Sequence, residues 1–248
     1  MRRAIVVSGG AALAAAIVLG LAAMRHHAGA SLPFYVDASL APAWIEPKDA
    51  RAAHRIAAWS LTDHEGTRVS NRDLDGTIYV ASFFFTTCRG YCPTLRSNLS
   101  KVAAAFHDDS SVAILSHTVT PEIDDVSKLA AYARTNDVRA PQWRLLTGTR
   151  EEIARLARES YFVELADTTG NAAGTLIHTE TFVLVDADGH IRGVYDGTSA
   201  YDVGKLIEDV AALRRASSGR RSAHTKDSIN KSASASSNGI GGRIFTTL

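Results

Sequence analysis

Thr77-Ile-Tyr-Val-Ala-Ser-Phe-Phe-Phe-Thr-Thr-Cys-Arg-Gly-Tyr-Cys-Pro93 decides how the rest of the chain reads. Thr77 to Phe85 is a nearly continuous apolar, β-rich run, which suits a strand buried on both faces in the middle of an α/β sheet. The run ends in Thr86-Thr87-Cys88. Beyond Cys92-Pro93 the period changes, and Leu95, Leu99, Val102, Ala103 and Phe106 fall on one helical face. Pro93 suits the first helical turn, where its missing N–H costs nothing. The stretch is a strand, a turn and a helix, with two cysteines in the turn.

The pattern continues outward. Val112–Val119 reads as a strand, and Val126, Leu129, Ala130 and Ala133 mark an amphipathic helix. Trp143–Leu146 is a short strand. Thr149 with Glu152 forms a capping-box signature before Ile153, Leu156, Ala157 and Tyr161. Trp143 and Tyr161 sit where core side chains are expected. Thr181–Val185 and Ile191–Tyr195 are strands joined by Asp186-Ala-Asp-Gly189, a hairpin signal. Val203, Leu206, Ile207 and Val210 mark a closing helix. Upstream, His54–Leu61 reads as a first short strand and Asp63–Gly66 as a turn. Parallel crossovers followed by a terminal hairpin predict an α/β, thioredoxin-like fold. No internal repeat is visible.

The flanks differ from this middle. Ala4–Met24 is a run of 21 uncharged residues, long enough as a helix to cross a hydrocarbon core of about 30 Å. Arg2 and Arg3 before it favour an inside N-terminus, with the rest on the extracytoplasmic, periplasmic side. A cleaved signal peptide is the alternative, with Ala28-Gly29-Ala30 as the cut. The expected organisation is therefore a membrane anchor or signal segment at 1–30, a Pro-punctuated spacer at 31–50, a domain at 51–213, and a disordered basic, Ser-rich tail at 214–248. Charge follows the same divisions. Residues 1–30 carry +3; residues 31–213 carry 17 basic and 25 acidic side chains, −8; residues 214–248 carry seven basic residues against Asp227, +6. An acidic domain argues against nucleic-acid binding.

Cys88 and Cys92 are the chain's two cysteines. A structural disulfide between them would constrain the unfolded chain little, because the loop is so short. The pair sits at a strand-to-helix turn, and the helix dipole and Arg89 are expected to favour thiolate. Two thiolates are a soft ligand set suited to Cu(I), whereas structural zinc usually takes four ligands. A third ligand is sought among nine histidines. His64, His107 and His190 stand in polar, turn-like contexts and read as surface residues. His54 and His117 are less defined; for His117, at a strand end, a buried, hydrogen-bonded residue is one reading. His178 closes a Gly-rich loop ahead of Thr181–Val185, whose start faces the cysteine turn in a thioredoxin-like fold. Topology makes it a candidate and no more. Asp167, Glu180 and Glu122 are candidates for steadying His178 or steering a cation, with solvated or turn roles as the alternative.

Phe83–Pro93, Ser116-His-Thr-Val-Thr-Pro-Glu122, and His178-Thr-Glu-Thr-Phe-Val-Leu-Val-Asp186 followed by Ile191-Arg-Gly-Val-Tyr-Asp-Gly197 together resemble the Sco/SenC family. The resemblance runs over about residues 31–213, including Leu32-Pro33-Phe34-Tyr35. It implies a thioredoxin-like fold on one membrane anchor and a copper site, Cu(I) or Cu(II), made by Cys88, Cys92 and His178. It implies a role in assembling the binuclear copper centre of cytochrome c oxidase subunit II, by delivering copper or by reducing the target cysteines; it names no copper donor. Many members have proline after the first cysteine. Arg89 stands there in this chain, which leaves the ligands intact and bears on redox potential and partner surface.

Three activities compete. A copper chaperone would use a three-coordinate metal open to ligand exchange. A thiol–disulfide oxidoreductase would use Cys88 and Cys92 as attacking and resolving thiols. Generic thioredoxins, however, have two residues between their cysteines and a proline where His178 stands. A peroxiredoxin-type peroxidase is disfavoured, because its Thr or Ser three residues before the reactive cysteine is replaced by Phe85 or Arg89.

Overall fold

Residues Ile78–Phe84 form a strand (β5) with every side chain buried, as an apolar run without alternation requires. Val112–Thr118 (β6) is its equal and pairs with it in parallel, from Ile78 opposite Val112 to Phe84 opposite Thr118. The computed structural model describes residues 32–46, 49–50, 53–164 and 180–237, with side chains in the last helix as far as 219. The chain divides into two units, Met1–Leu32 and Pro33–Leu248. The expected apolar anchor lies outside the described residues, and among those residues no helix is long and apolar enough to cross a membrane.

Seven strands make the main sheet. Ser60–Asp63 (β3), Arg68–Ser70 (β4), Trp143–Thr147 (β7), Thr181–Val185 (β8) and Ile191–Asp196 (β9) join β5 and β6 in the order β4-β3-β7-β6-β5-β8-β9. Phe34–Tyr35 (β1) and Pro42–Ala43 (β2) form a separate small ribbon. The first strand begins at Ser60, later than the expected His54. The parallel steps β5–β6 and β6–β7 are each bridged by a helix, and β8–β9 is the expected antiparallel hairpin. Cys92–Ala105 (α1) and Val126–Thr135 (α2) lie on one face; Arg150–Arg155 (α3), continued by a turn through Ser160, lies on the other. Trp59, Phe83, Leu115, Leu146, Leu156, Tyr161 and Val183 fill the core between the sheet and α3.

Local signals explain the helix starts. Asp125 caps α2 by accepting from the Lys128 N–H at 2.8 Å. Thr149 caps α3 by accepting from the Glu152 N–H at 3.1 Å. Glu152 does not complete the capping box; its Oε1 accepts from the Ser60 N–H at 3.2 Å, tying α3 to the start of β3.

The C-terminal boundary needs correction. The last helix (α4) runs from Ala200 to Ser237, so residues 214–237, expected to be a disordered tail, continue it. Leu213 and Ser217 are still buried, and Arg214 pairs with Asp109. Extending a formed helix costs far less than starting one, and residues 214–237 hold no proline and one glycine, Gly219. Composition showed the missing apolar face and not the helix already nucleated upstream.

Candidate metal and redox centre

The strand-to-helix turn places the two cysteines at the C-terminal end of β5. Cys88 closes a turn through its N–H to the Phe85 carbonyl at 3.2 Å, and Cys92 is the first residue of α1. Tyr91 precedes it, and the Leu95 N–H returns to the Tyr91 carbonyl at 3.0 Å. Both thiols are free; Cys88 is half-buried and Cys92 is buried. Burial pushes the Cys92 thiol up to about 12, with the neighbouring Cys88 thiol adding to the shift. At Cys92, burial thus opposes the thiolate expected at the helix N-terminus. A soft metal ion would supply the missing positive charge.

The loop's fixed point is Asp124, which sequence reading passed over. It is fully buried. Its Oδ2 accepts from the Thr86 N–H at 3.0 Å, the Thr118 hydroxyl at 2.6 Å and the Thr120 hydroxyl at 3.1 Å, and its Oδ1 accepts from the Thr86 hydroxyl at 2.5 Å. One carboxylate thus joins the end of β6 to the residue two places before Cys88. The Thr-Thr before the first cysteine and the Thr-x-Thr closing β6 were the available signal.

A second chain of bonds connects α1 to the start of β8. Asn98, buried on α1, donates from Nδ2 to the Gly197 carbonyl at 2.6 Å. The Gly197 N–H donates to the Glu180 carbonyl at 2.7 Å. A side chain at Gly197 would stand 2.7 Å from that carbonyl, from Leu95 and from Phe182. Glu180, just before β8, is in this way pinned to the helix that begins at Cys92.

His178 and Asp167 lie outside the described residues. Among the described residues no three His, Cys, Asp or Glu side chains come together as a metal site. Glu122 is bound to Arg150 on the surface. His64 and His190 were expected at the surface and are buried; His64 Nδ1 accepts from the Leu145 N–H at 3.1 Å, and His190 Nδ1 lies 3.4 Å from the His54 carbonyl. Each has a backbone partner distant in sequence, which a turn-like local sequence does not reveal. His107 is exposed and pairs with Asp108. His117 is fully buried against Phe83 and Tyr161, with Nδ1 3.2 Å from the Ser82 carbonyl. Among the described residues its Nε2 has no partner, so there it is only half satisfied.

An α/β sheet carrying an adjacent dithiol between a central strand and its helix defines a thioredoxin-like protein with a metal or redox centre. The SCO1/SenC family model matches residues 47–215, and the chain belongs to that family. The SCO1 protein homolog of Bacillus subtilis is 26% identical over 159 residues, covering 63% of this chain and 81% of that protein. The zebrafish mitochondrial SCO2 homolog is 34% identical over 141 residues, 55% of this chain and about half of that protein (49%). Among solved structures, copper-bound ScoI of Bradyrhizobium japonicum is 26% identical with a TM-score of 0.53, covering 65% of this chain and 99% of that one. BsSco, described as having a disulfide switch and as one of the Sco family of cytochrome c oxidase assembly proteins, is 25% identical with a TM-score of 0.57, covering 64% and 93%.

Proposed function

We propose that this chain is a copper metallochaperone that binds one ion through Cys88, Cys92 and His178 and assists assembly of the binuclear copper centre in cytochrome c oxidase subunit II. The observation that carries the reading is the pairing of two free thiols at the head of α1 with the pinning of Glu180 to that same helix. His178 stands two residues before Glu180 in the chain. Two sulfurs and an imidazole form a soft donor set that suits Cu(I), and imidazole also tolerates Cu(II). Three protein ligands leave a position open for an incoming ligand, so copper leaves as cargo by stepwise exchange. The copper-bound relative supports the metal, and the Sco family's description as oxidase assembly proteins supports the role. The uncharged run at Ala4–Met24 behind Arg2 and Arg3 supports a membrane anchor with the domain on the periplasmic side.

A second reading is favoured by the adjacent free thiols and by the disulfide switch described for BsSco. Here the pair reduces the target's cysteines: one thiolate attacks the target disulfide, the other resolves the mixed disulfide, and Cys88 and Cys92 end as a disulfide while the target gains two thiols.

The deciding experiment is copper binding by the reduced Pro33–Leu248 unit under a competing chelator, beside Cys88→Ser, Cys92→Ser and His178→Ala. One copper per chain, lost or strongly weakened in each variant, is the expected result. A wild type that holds no copper against the chelator sinks the chaperone reading and leaves the dithiol one.

A further inference from the structure

The two ends of the sheet carry different chemistry. Cys88, the Thr118–Asp124 turn and the β8 start opposite Asp196 share one end. At the other end stand the starts of β5, β6 and β9 and the hairpin Asp186–Gly189. Two features converge on this second end. Arg192, near the start of β9, donates from Nε to the Pro33 carbonyl at 3.0 Å and lies 4.0 Å from the Phe34 ring centroid, so the chain enters the domain here. Arg214 pairs with Asp109, just before β6, so α4 also leaves the domain here.

Beyond Ser217 the helix runs another twenty residues, roughly 30 Å at helical rise. From Arg215 to Ser237 it carries Arg215, Arg220, Arg221, Lys226 and Lys231 against the single acid Asp227, and Ile229 is the only large apolar residue. Protein hot spots are built on buried aromatic and apolar anchors, which this segment lacks. An array of cations without an anchor suits a surface of diffuse negative charge. The domain itself, at −8, would be repelled by such a surface.

We propose that residues 215–237 of α4 dock on anionic lipid headgroups at the end of the domain where the chain enters, leaving the cysteine end free for its partner. This rests on the membrane placement given above for its geometry, and on the charge and helix of the segment for its chemistry.

The test is limited trypsin digestion of the full chain in lipid nanodiscs, phosphatidylcholine alone against phosphatidylcholine with phosphatidylglycerol, with each cut located by mass. Cleavage after Arg220, Arg221, Lys226 and Lys231 is expected to slow about tenfold in the anionic discs, as electrostatic docking implies, and to recover in molar salt. Cleavage after exposed Arg89, at the cysteine end, should not change. Equal rates in both discs, or protection without lipid, overturn the proposal. Retention of the chain is scored separately. A chain that leaves neutral discs but binds anionic ones supports lipid docking and sinks the anchor; a chain held in both discs with equal tail cleavage keeps the anchor and sinks lipid docking.

Discussion

Replacing Asp124 should both destabilise the fold and loosen the cysteine loop. The carboxylate is fully buried and takes four hydrogen bonds, two of them from Thr86. A hydrogen bond to a charged group contributes roughly 1.5–3 kcal/mol, yet four do not add, because hydroxyls turn and water enters the gap. The part that cannot relax is the Thr86 N–H, fixed by the backbone at the end of β5. Asp124→Ala is therefore expected to cost about 3–5 kcal/mol, the range for breaking a buried charged network. Asp124→Asn keeps the shape and one oxygen, and should cost about 1–2 kcal/mol. Urea unfolding of the Pro33–Leu248 unit measures both. Copper affinity of the asparagine variant, which stays folded, separates loop placement from stability: it should fall although no ligand has changed. An alanine variant that loses less than about 1 kcal/mol, or an asparagine variant with unchanged copper affinity, refutes Asp124 as the support of the Cys88 turn.

Two further outcomes follow from the same coordinates. Burial lowers the His117 imidazole to about 4 from an ordinary 6.5, so below pH 6.5 the unfolded chain takes up a proton that the folded chain refuses. His117's contribution should be complete above that value and be lost as pH drops towards 4, about 3 kcal/mol for a shift of that size; urea midpoints across this range should show the slope and His117→Leu should reduce it, with His64 and His190, also lowered by burial, keeping a remainder, while an unchanged slope in that variant assigns the effect elsewhere. Gly197→Ala puts a methyl 2.7 Å from the Glu180 carbonyl, Leu95 and Phe182. Overpacking of this kind costs about 1–3 kcal/mol, and the displaced start of β8 should weaken copper binding more than the same methyl at open Gly204; equal copper affinities in the two variants would count against the pinning of Glu180.

How much of this was legible follows from where each feature's cause lies. The run Ile78–Phe84 could be read because burial on both faces leaves only one kind of sequence, and the Cys92 helix because its apolar period begins at once. His64 and His190 were misread because turn-like neighbours describe the backbone locally, whereas their partners, the Leu145 N–H, the His54 carbonyl and the Phe34 ring, are distant in sequence. Asp124 was invisible for the same reason: its donors are spread from Thr86 to Thr120, and only the fold gathers them. The capping box failed in an instructive way. Thr149 did its local part, and Glu152 was drawn off by a longer-range partner, the Ser60 N–H.

On the proposed chaperone reading, these long-range bonds would let one site hold copper and still release it. The supports are hydrogen-bonded: a buried carboxylate holds Thr86, just after β5 and two residues before Cys88, and Asn98 with Gly197 holds Glu180, just before β8. Between the supports, Cys88 is half-buried and Arg89, Gly90 and Tyr91 are exposed, so an incoming ligand reaches the first cysteine before the second. Cys92 is buried and its thiol is pushed up to about 12, so this sulfur is poorly stable as a thiolate once the cation has gone. On the chaperone reading, burial would make Cys88 the sulfur open to exchange and Cys92 the one reached last.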